Sequence, residues 1–158
     1  MRYLVAAALL FASPAFAEGE PDAAHLFEIA GLEILHPWTN ATQDEHAFVY
    51  MEIHNEGADP VEIIGARLLD GPQGYLVGFR MQGGKMGIAS LPPIPVAPGK
   101  HLDLTPRDLA IRLDGLVAPL VAGQSLKAVL LTSAGELEID VAIESMSATR
   151  HSHSGHSH

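Results

Sequence analysis

The stretch Ala47-Phe48-Val49-Tyr50-Met51-Glu52-Ile53-His54-Asn55 alternates. Val49, Met51 and Ile53 make one wholly apolar face, while Phe48, Tyr50, Glu52 and His54 make another that turns polar toward its end. A period of two marks a half-buried β-strand, because successive side chains point to opposite faces. Asn55-Glu56-Gly57-Ala58-Asp59-Pro60 supplies the turn chemistry that stops this strand, and Val61-Glu62-Ile63-Ile64 opens the next. The pattern predicts a hairpin, with the rest of the chain wrapped around it.

Toward the N-terminus, Leu26 to Leu35 has strand-like content interrupted at Gly31, which predicts two short strands joined by a turn or bulge. His36-Pro37 is expected to end regular structure, since Pro37 has no N–H to donate and pushes His36 into an extended conformation. Trp38, the only tryptophan, is expected to be a large core anchor at one end of the fold.

Toward the C-terminus, Tyr75 to Met81 alternates, and Gln82-Gly83-Gly84-Lys85 predicts a tight turn into Met86-Gly87-Ile88. Leu91 to Gly99 carries Pro92, Pro93, Pro95 and Pro98 and can only be an extended edge segment. His101 to Leu104 and Leu109 to Leu113 alternate again. Leu126 to Thr132 and Leu137 to Ile143 predict a final hairpin around Ser133-Ala134-Gly135. Short strands punctuated by Gly and Pro, with no long amphipathic helix, predict an all-β fold, a single antiparallel β-sandwich with Greek-key connections.

With 158 residues, 47% of them hydrophobic, the chain has enough apolar material for one ordinary domain. It has no cysteine, so disulfides and thiolate metal sites are excluded. A net charge of -10 with no basic cluster excludes nucleic acid as a partner. Arg2, the apolar run Leu4 to Phe11 and the small residues of Ala15-Phe16-Ala17 predict a signal peptide over 1–17. That run is too short for a membrane anchor, and no later stretch is long and apolar enough, so the expectation is an exported, periplasmic protein. A polar leader, 18–25, then precedes the sandwich, 26–146, and a disordered His-rich tail, 147–158.

His151, His153, His156 and His158 place four imidazoles within eight residues, separated by Ser and Gly. Neutral imidazole suits Cu(II), zinc and nickel, and small spacers let such a tail wrap an ion. Capture of this kind should fade below about pH 6.5, as the rings protonate. His36, His46, His54 and His101 read as scattered surface residues. His46 and His54 share a face but lie roughly 26 Å apart at about 3.3 Å per residue. Ser, His and acidic residues show no recognisable catalytic arrangement, so no enzymatic activity is expected.

Several landmarks, taken in order, resemble the PCu(A)C family of periplasmic copper chaperones. They are Trp38 in Trp-x-Asn-Ala-Thr, the Val-Tyr-Met-x-Ile-x-Asn strand ending at Asn55, Gly84-x-Met86, Ala97-Pro98-Gly99, Leu113-x-Gly115-Leu116 and the Ala134-Gly135-Glu136 hairpin. The resemblance runs from about Leu32 to Ile143 and implies a cupredoxin-like β-sandwich. It also implies Cu(I) held by two His and two Met, soft ligands that suit this ion.

Anchored on Gly84-x-Met86 and Leu113-x-Gly115-Leu116, those four ligand positions fall on Val77, Ile88, Ala110 and Arg112. None can bind copper as the family does, and Arg112 brings a fixed positive charge. Met81 and Met86 are the sulfurs left in that region and are the weaker Cu(I) candidates. Some relatives use a mature N-terminal His, and His25 would serve if cleavage followed Ala24, although Asp22 suits that cut poorly.

The expectation is therefore a copper-handling accessory protein, a divergent member whose metal is bound mainly by the tail. Its partners would be the copper ion and a cuproenzyme or its assembly factor. The alternative is a metal-independent interaction module that assists assembly of an exported cuproenzyme.

Overall fold

The computed structural model describes residues 26–152. Eleven strands follow in chain order: β1 (Leu26–Ile29), β2 (Leu32–Asn40), β3 (His46–Asn55), β4 (Val61–Leu68), β5 (Tyr75–Gln82), β6 (Lys85–Ser90), β7 (Ile94–Val96), β8 (His101–Leu104), β9 (Leu109–Asp114), β10 (Ser125–Thr132) and β11 (Gly135–Glu144). Among the described residues there is no helix, and none that is long and apolar enough to cross a membrane. The all-β class predicted from period-two patterning is the one observed.

The strands hydrogen-bond in the order β6-β5-β9-β3-β2-β11-β10-β4-β7, with β1 added to β2 and β8 to β3. This path folds over on itself. The Gly74 amide donates to the Ala66 carbonyl at 2.6 Å, and Arg67 bridges to Gln73. A Cβ on Gly74 would run into the Arg112 carbonyl, so only glycine lets these backbones meet. Between the two halves lies the central core, with Leu32, Ile34, Val49, Met51, Ile53, Leu76, Ile111 and Leu113 on one side. Ile63, Ala66, Ala128, Leu130, Ile139 and Val141 face them from the other.

Most turns fall where the sequence puts them. β5 and β6 pair directly across Gly83-Gly84, β10 and β11 pair across Ser133-Ala134, and β1 and β2 pair across Ala30-Gly31. β7, inside the proline-rich stretch, adds to β4 at one end of the sheet. One pairing departs from a purely antiparallel sandwich: β11 runs parallel to β2, matching Ala142 with Trp38 and Glu144 with Asn40, so the sheet is mixed.

The expected hairpin of β3 with β4 does not form. β3 lies between β2 on one edge and β8 and β9 on the other, whereas β4 pairs with β10 and β7 in the opposite layer. The reason is Asn55. Fully buried, its amide donates to the carbonyls of Asp59 at 2.9 Å and Val96 at 2.8 Å, and its Oδ1 accepts from Gly57 N–H at 3.0 Å. That makes 55–60 an arch between layers; alternation on both flanks reads the same for an arch as for a hairpin.

Nor does His36-Pro37 end β2. The strand continues through a bulge in which the pair His36 and Pro37 opposes the single residue Met51, since Leu35 pairs with Glu52 and Trp38 with Tyr50. His36 adopts φ +48° to make it. The bulge reverses which alternate residues face the core, so Leu32 and Ile34 point inward before it and Trp38 points outward after it. Trp38 is buried as expected, but in a second cluster on the far side of the sheet.

Candidate functional site

The face of β5, β9, β3 and β2 turned away from the central core carries the chemistry. At one end it is apolar: Trp38, Tyr50, Val77 and Ala110 are buried together, with Phe48, Phe79, Ala142 and Ala148 packed against them. The Trp38 and Tyr50 rings lie 4.7 Å apart, and Phe48 meets Phe79 edge to face at 5.2 Å. Burial pushes the Tyr50 phenol up to about 12, so it is neutral at any physiological pH.

The four positions implied by the resemblance converge on this face. Val77 pairs with Ala110, both fully buried, while Ile88 pairs with Phe79 and Arg112 lies between Tyr75 and Phe48. Arg112 is half-buried and its Nε donates to Asp114 at 2.9 Å, which gives the guanidinium a carboxylate partner along its own strand. Aliphatic and aromatic packing thus occupies the space, and none of the side chains in this cluster is a soft ligand for copper.

Met81 and Met86 are direct cross-strand partners at the tip of the β5–β6 hairpin and are 64% and 47% exposed. The structure brings the two sulfur residues side by side, as sequence spacing alone does not show.

The tail enters at the other border of the cluster. His153, His156 and His158 lie outside the described residues, as do His25 and the segments expected as signal peptide and polar leader. His151 is within them, and its neighbourhood corrects the expectation of disorder from Ser147 onward as far as Ser152. Asn40 donates to the carbonyls of Ser145 and Ala148 at 2.9 and 3.0 Å, and Ala148 seats on the apolar cluster. His151 Nδ1 is 2.9 Å from Glu144 Oε1, and the Ser152 hydroxyl donates to Glu144 Oε2 at 2.7 Å.

Burial pushes the Glu144 carboxyl up, but the Ser152 hydroxyl and N–H together with His151 outweigh it and hold the group below its ordinary range. The His151 ring stacks on that of His36 with centroids 5.7 Å apart. Both rings line a cleft of about 610 Å³ with Trp38, Met51 and Glu52. The first tail imidazole therefore sits beside a second imidazole and a carboxylate.

His36 is placed there by the β2 bulge, a contribution the sequence reading missed because it took His36-Pro37 as a strand end. His46 and His54 stand at opposite ends of β3, as expected, but His54 is the cross-strand partner of His101, with ring centroids 5.9 Å apart. Both read from sequence as scattered surface residues, and 47 positions separate them; only the β3–β8 pairing joins them.

Comparison with solved structures gives the same fold. The copper-bound PCuAC domain from PmoF2 superposes with a TM-score of 0.63 at 22% identity, covering 77% of this chain and 98% of that one. The apo PCuAC domain from PmoF1 gives 0.63 at 24% identity over 77% and 99%. The solution structure of Cu(I) DR1885 from Deinococcus radiodurans gives 0.54 at 19% identity over 82% and 87%. None of the curated proteins compared with the chain matches it. The sequence does match one protein family across residues 32–143, from the first residue of β2 to the last but one of β11, and on that match the chain belongs to the LpqE-like lipoprotein family.

Proposed function

We propose that this protein is an exported, periplasmic copper-handling accessory protein without enzymatic activity, which captures Cu(II) through the His-rich C-terminus beginning at His151. The observation that carries the reading is the docking of His151 against His36 and Glu144 on a fold shared with copper-binding PCuAC domains. His153, His156 and His158 follow within seven residues and would add imidazoles to that nucleus. Imidazole and carboxylate donors suit Cu(II), zinc or nickel better than Cu(I). Met81 and Met86 offer a weaker two-thioether contact for Cu(I), and His25 a further imidazole. Cargo held in this way can be passed to a cuproenzyme or to its assembly factor.

The test is metal titration of the chain from Glu18 beside a variant with His151, His153, His156 and His158 changed to Ser. Cu(II) affinity should fall at least about tenfold in the variant. Unchanged Cu(II) binding would remove the tail from the site. Cu(I) is titrated separately under reducing conditions, where Met81→Leu and Met86→Leu read out the thioether pair.

A second reading is favoured by the apolar filling of the positions where the resemblance puts copper ligands. Phe79, Ile88, Met81 and Met86 extend that filling to the surface, as a docking face for assembling an exported cuproenzyme without a bound metal would. A purified chain that takes up neither Cu(I) nor Cu(II) would establish that reading over the first.

A further inference from the structure

At the polar end of the same outer face, one rung of side chains crosses neighbouring strands. Glu33 of β2 pairs with His54 of β3, and His54 pairs with His101 of β8; on the far edge Glu28 of β1 pairs with Glu33. Adjacent strands lie about 4.8 Å apart and side chains on one face stand roughly parallel, so these groups are immediate neighbours. Glu56 joins them from the arch beyond β3. One ligand atom each from Glu33, His54 and Glu56 can be chosen so that all three lie within 4.8 Å of one another.

The arch that carries Glu56 is fixed from several directions. The Glu56 N–H donates to the Gly31 carbonyl at 2.9 Å, and its neighbour Asn55 is the buried amide that ties the arch to Asp59 and Val96. Gly31, at φ +80°, lies so close to Gly57 that a Cβ there would come within 2.7 Å of the Gly57 Cα. The β1–β2 turn and the arch are therefore locked together with Glu33 and Glu56 on either side of His54. Neither carboxylate has an ion-pair partner among the described residues. Two carboxylates thus converge on an imidazole with no fixed cation between them.

We infer that Glu33, His54 and Glu56, with His101 as the adjoining imidazole, form a second metal site for a borderline divalent cation such as zinc. The donor set decides the class. Mixed imidazole and carboxylate oxygen favour zinc, Ni(II) or Cu(II) over Cu(I), which seeks thioethers and thiolates, and over calcium, which takes six to eight oxygens. Ligands about 2.0 to 2.2 Å from a tetrahedral ion stand about 3.4 Å from one another. The three ligand atoms already lie within 4.8 Å of one another, on side chains that are half-buried or exposed. This site lies at the opposite end of the face from the Val77–Ala110 cluster and uses no residue of the tail, so it stands or falls separately from the proposed copper capture.

The experiment is zinc titration of the chain from Glu18 in which His151, His153, His156 and His158 are changed to Ser, read by equilibrium dialysis and by the thermal midpoint with and without zinc. This variant should retain close to one zinc per chain, and zinc should raise its midpoint. His54→Ala or Glu33→Gln in that background should weaken binding at least about tenfold and abolish the rise. Glu62→Gln, on β4 of the other layer, should leave both unchanged. His101→Ala should weaken binding as well. A tail variant that takes up no zinc overturns the site, and so does zinc binding undiminished in His54→Ala and Glu33→Gln. Undiminished affinity in His101→Ala overturns the four-ligand form. Zinc-free midpoints serve as the folding control, since His54 and Glu33 lie outside the core.

Discussion

One strand, β3, supplies both ends of the outer face, and the two ends could hardly differ more. Phe48 and Tyr50 join a buried aromatic cluster, whereas Glu52, next outward on the same face, is exposed and His54 beyond it belongs to a carboxylate and imidazole rung. Nothing in the local backbone separates them. Burial does: Ala142 of β11 and Ala148 of the following segment cover the first end, and only β1, β8 and the Asn55 arch flank the second. A sheet face is apolar where something packs on it, and polar residues persist where nothing does.

The contrast can be broken most strongly at Trp38. Trp38→Ala empties the centre of the apolar end and should cost about 3 to 5 kcal/mol in urea unfolding, the usual penalty for truncating a buried aromatic. A loss under about 1 kcal/mol would mean that the cluster closes without it. The next perturbation converts the apolar end into a metal site. Combining Val77→His, Ile88→Met, Ala110→His and Arg112→Met should create one Cu(I) site absent from the parent.

Before metal is added, that variant should lose about 1 to 3 kcal/mol for each imidazole buried without a partner. Failure to gain Cu(I) would show that the four positions do not correspond to the ligands the resemblance implies. The smallest effect is expected at the polar end, where His54→Ala without metal should change stability by no more than about 0.5 kcal/mol, since this half-buried side chain lies outside the core. A large loss there would reveal packing that the strand register does not indicate.

Much of the fold was legible because period-two patterning and turn residues are local signals. Gly83-Gly84, the Ser133 to Gly135 turn and the proline-rich edge of Leu91 to Gly99 each identified themselves. Which strands pair is not local. Asn55 reads as a turn residue, and only its burial shows that it spans two layers. Candidate sites fared the same way. The tail histidines were visible as a run, but His36 needed the bulge to reach His151, and Glu33, His54, Glu56 and His101 needed three strands and an arch to meet. A faint signal existed: His54 and Glu52 follow two apolar residues on one face of the strand, and a face that changes character midway invites the question of what adjoins its polar end.

The bulge at His36-Pro37 carries a consequence for how this sheet tolerates change in length. It holds one residue more than the ladder needs, because two residues stand opposite Met51. Losing either of them would restore plain alternation, with Leu35 and Trp38 still facing outward and a single inward residue between. A one-residue deletion, ruinous at most points of a strand because it turns every later side chain over, would here leave Trp38 on its own side. What would vanish is the bend, and with it the handover of β2 from β1 on its early edge to β11 on its late one. The spare residue contributes to the shape of the sheet and to the reach of His36.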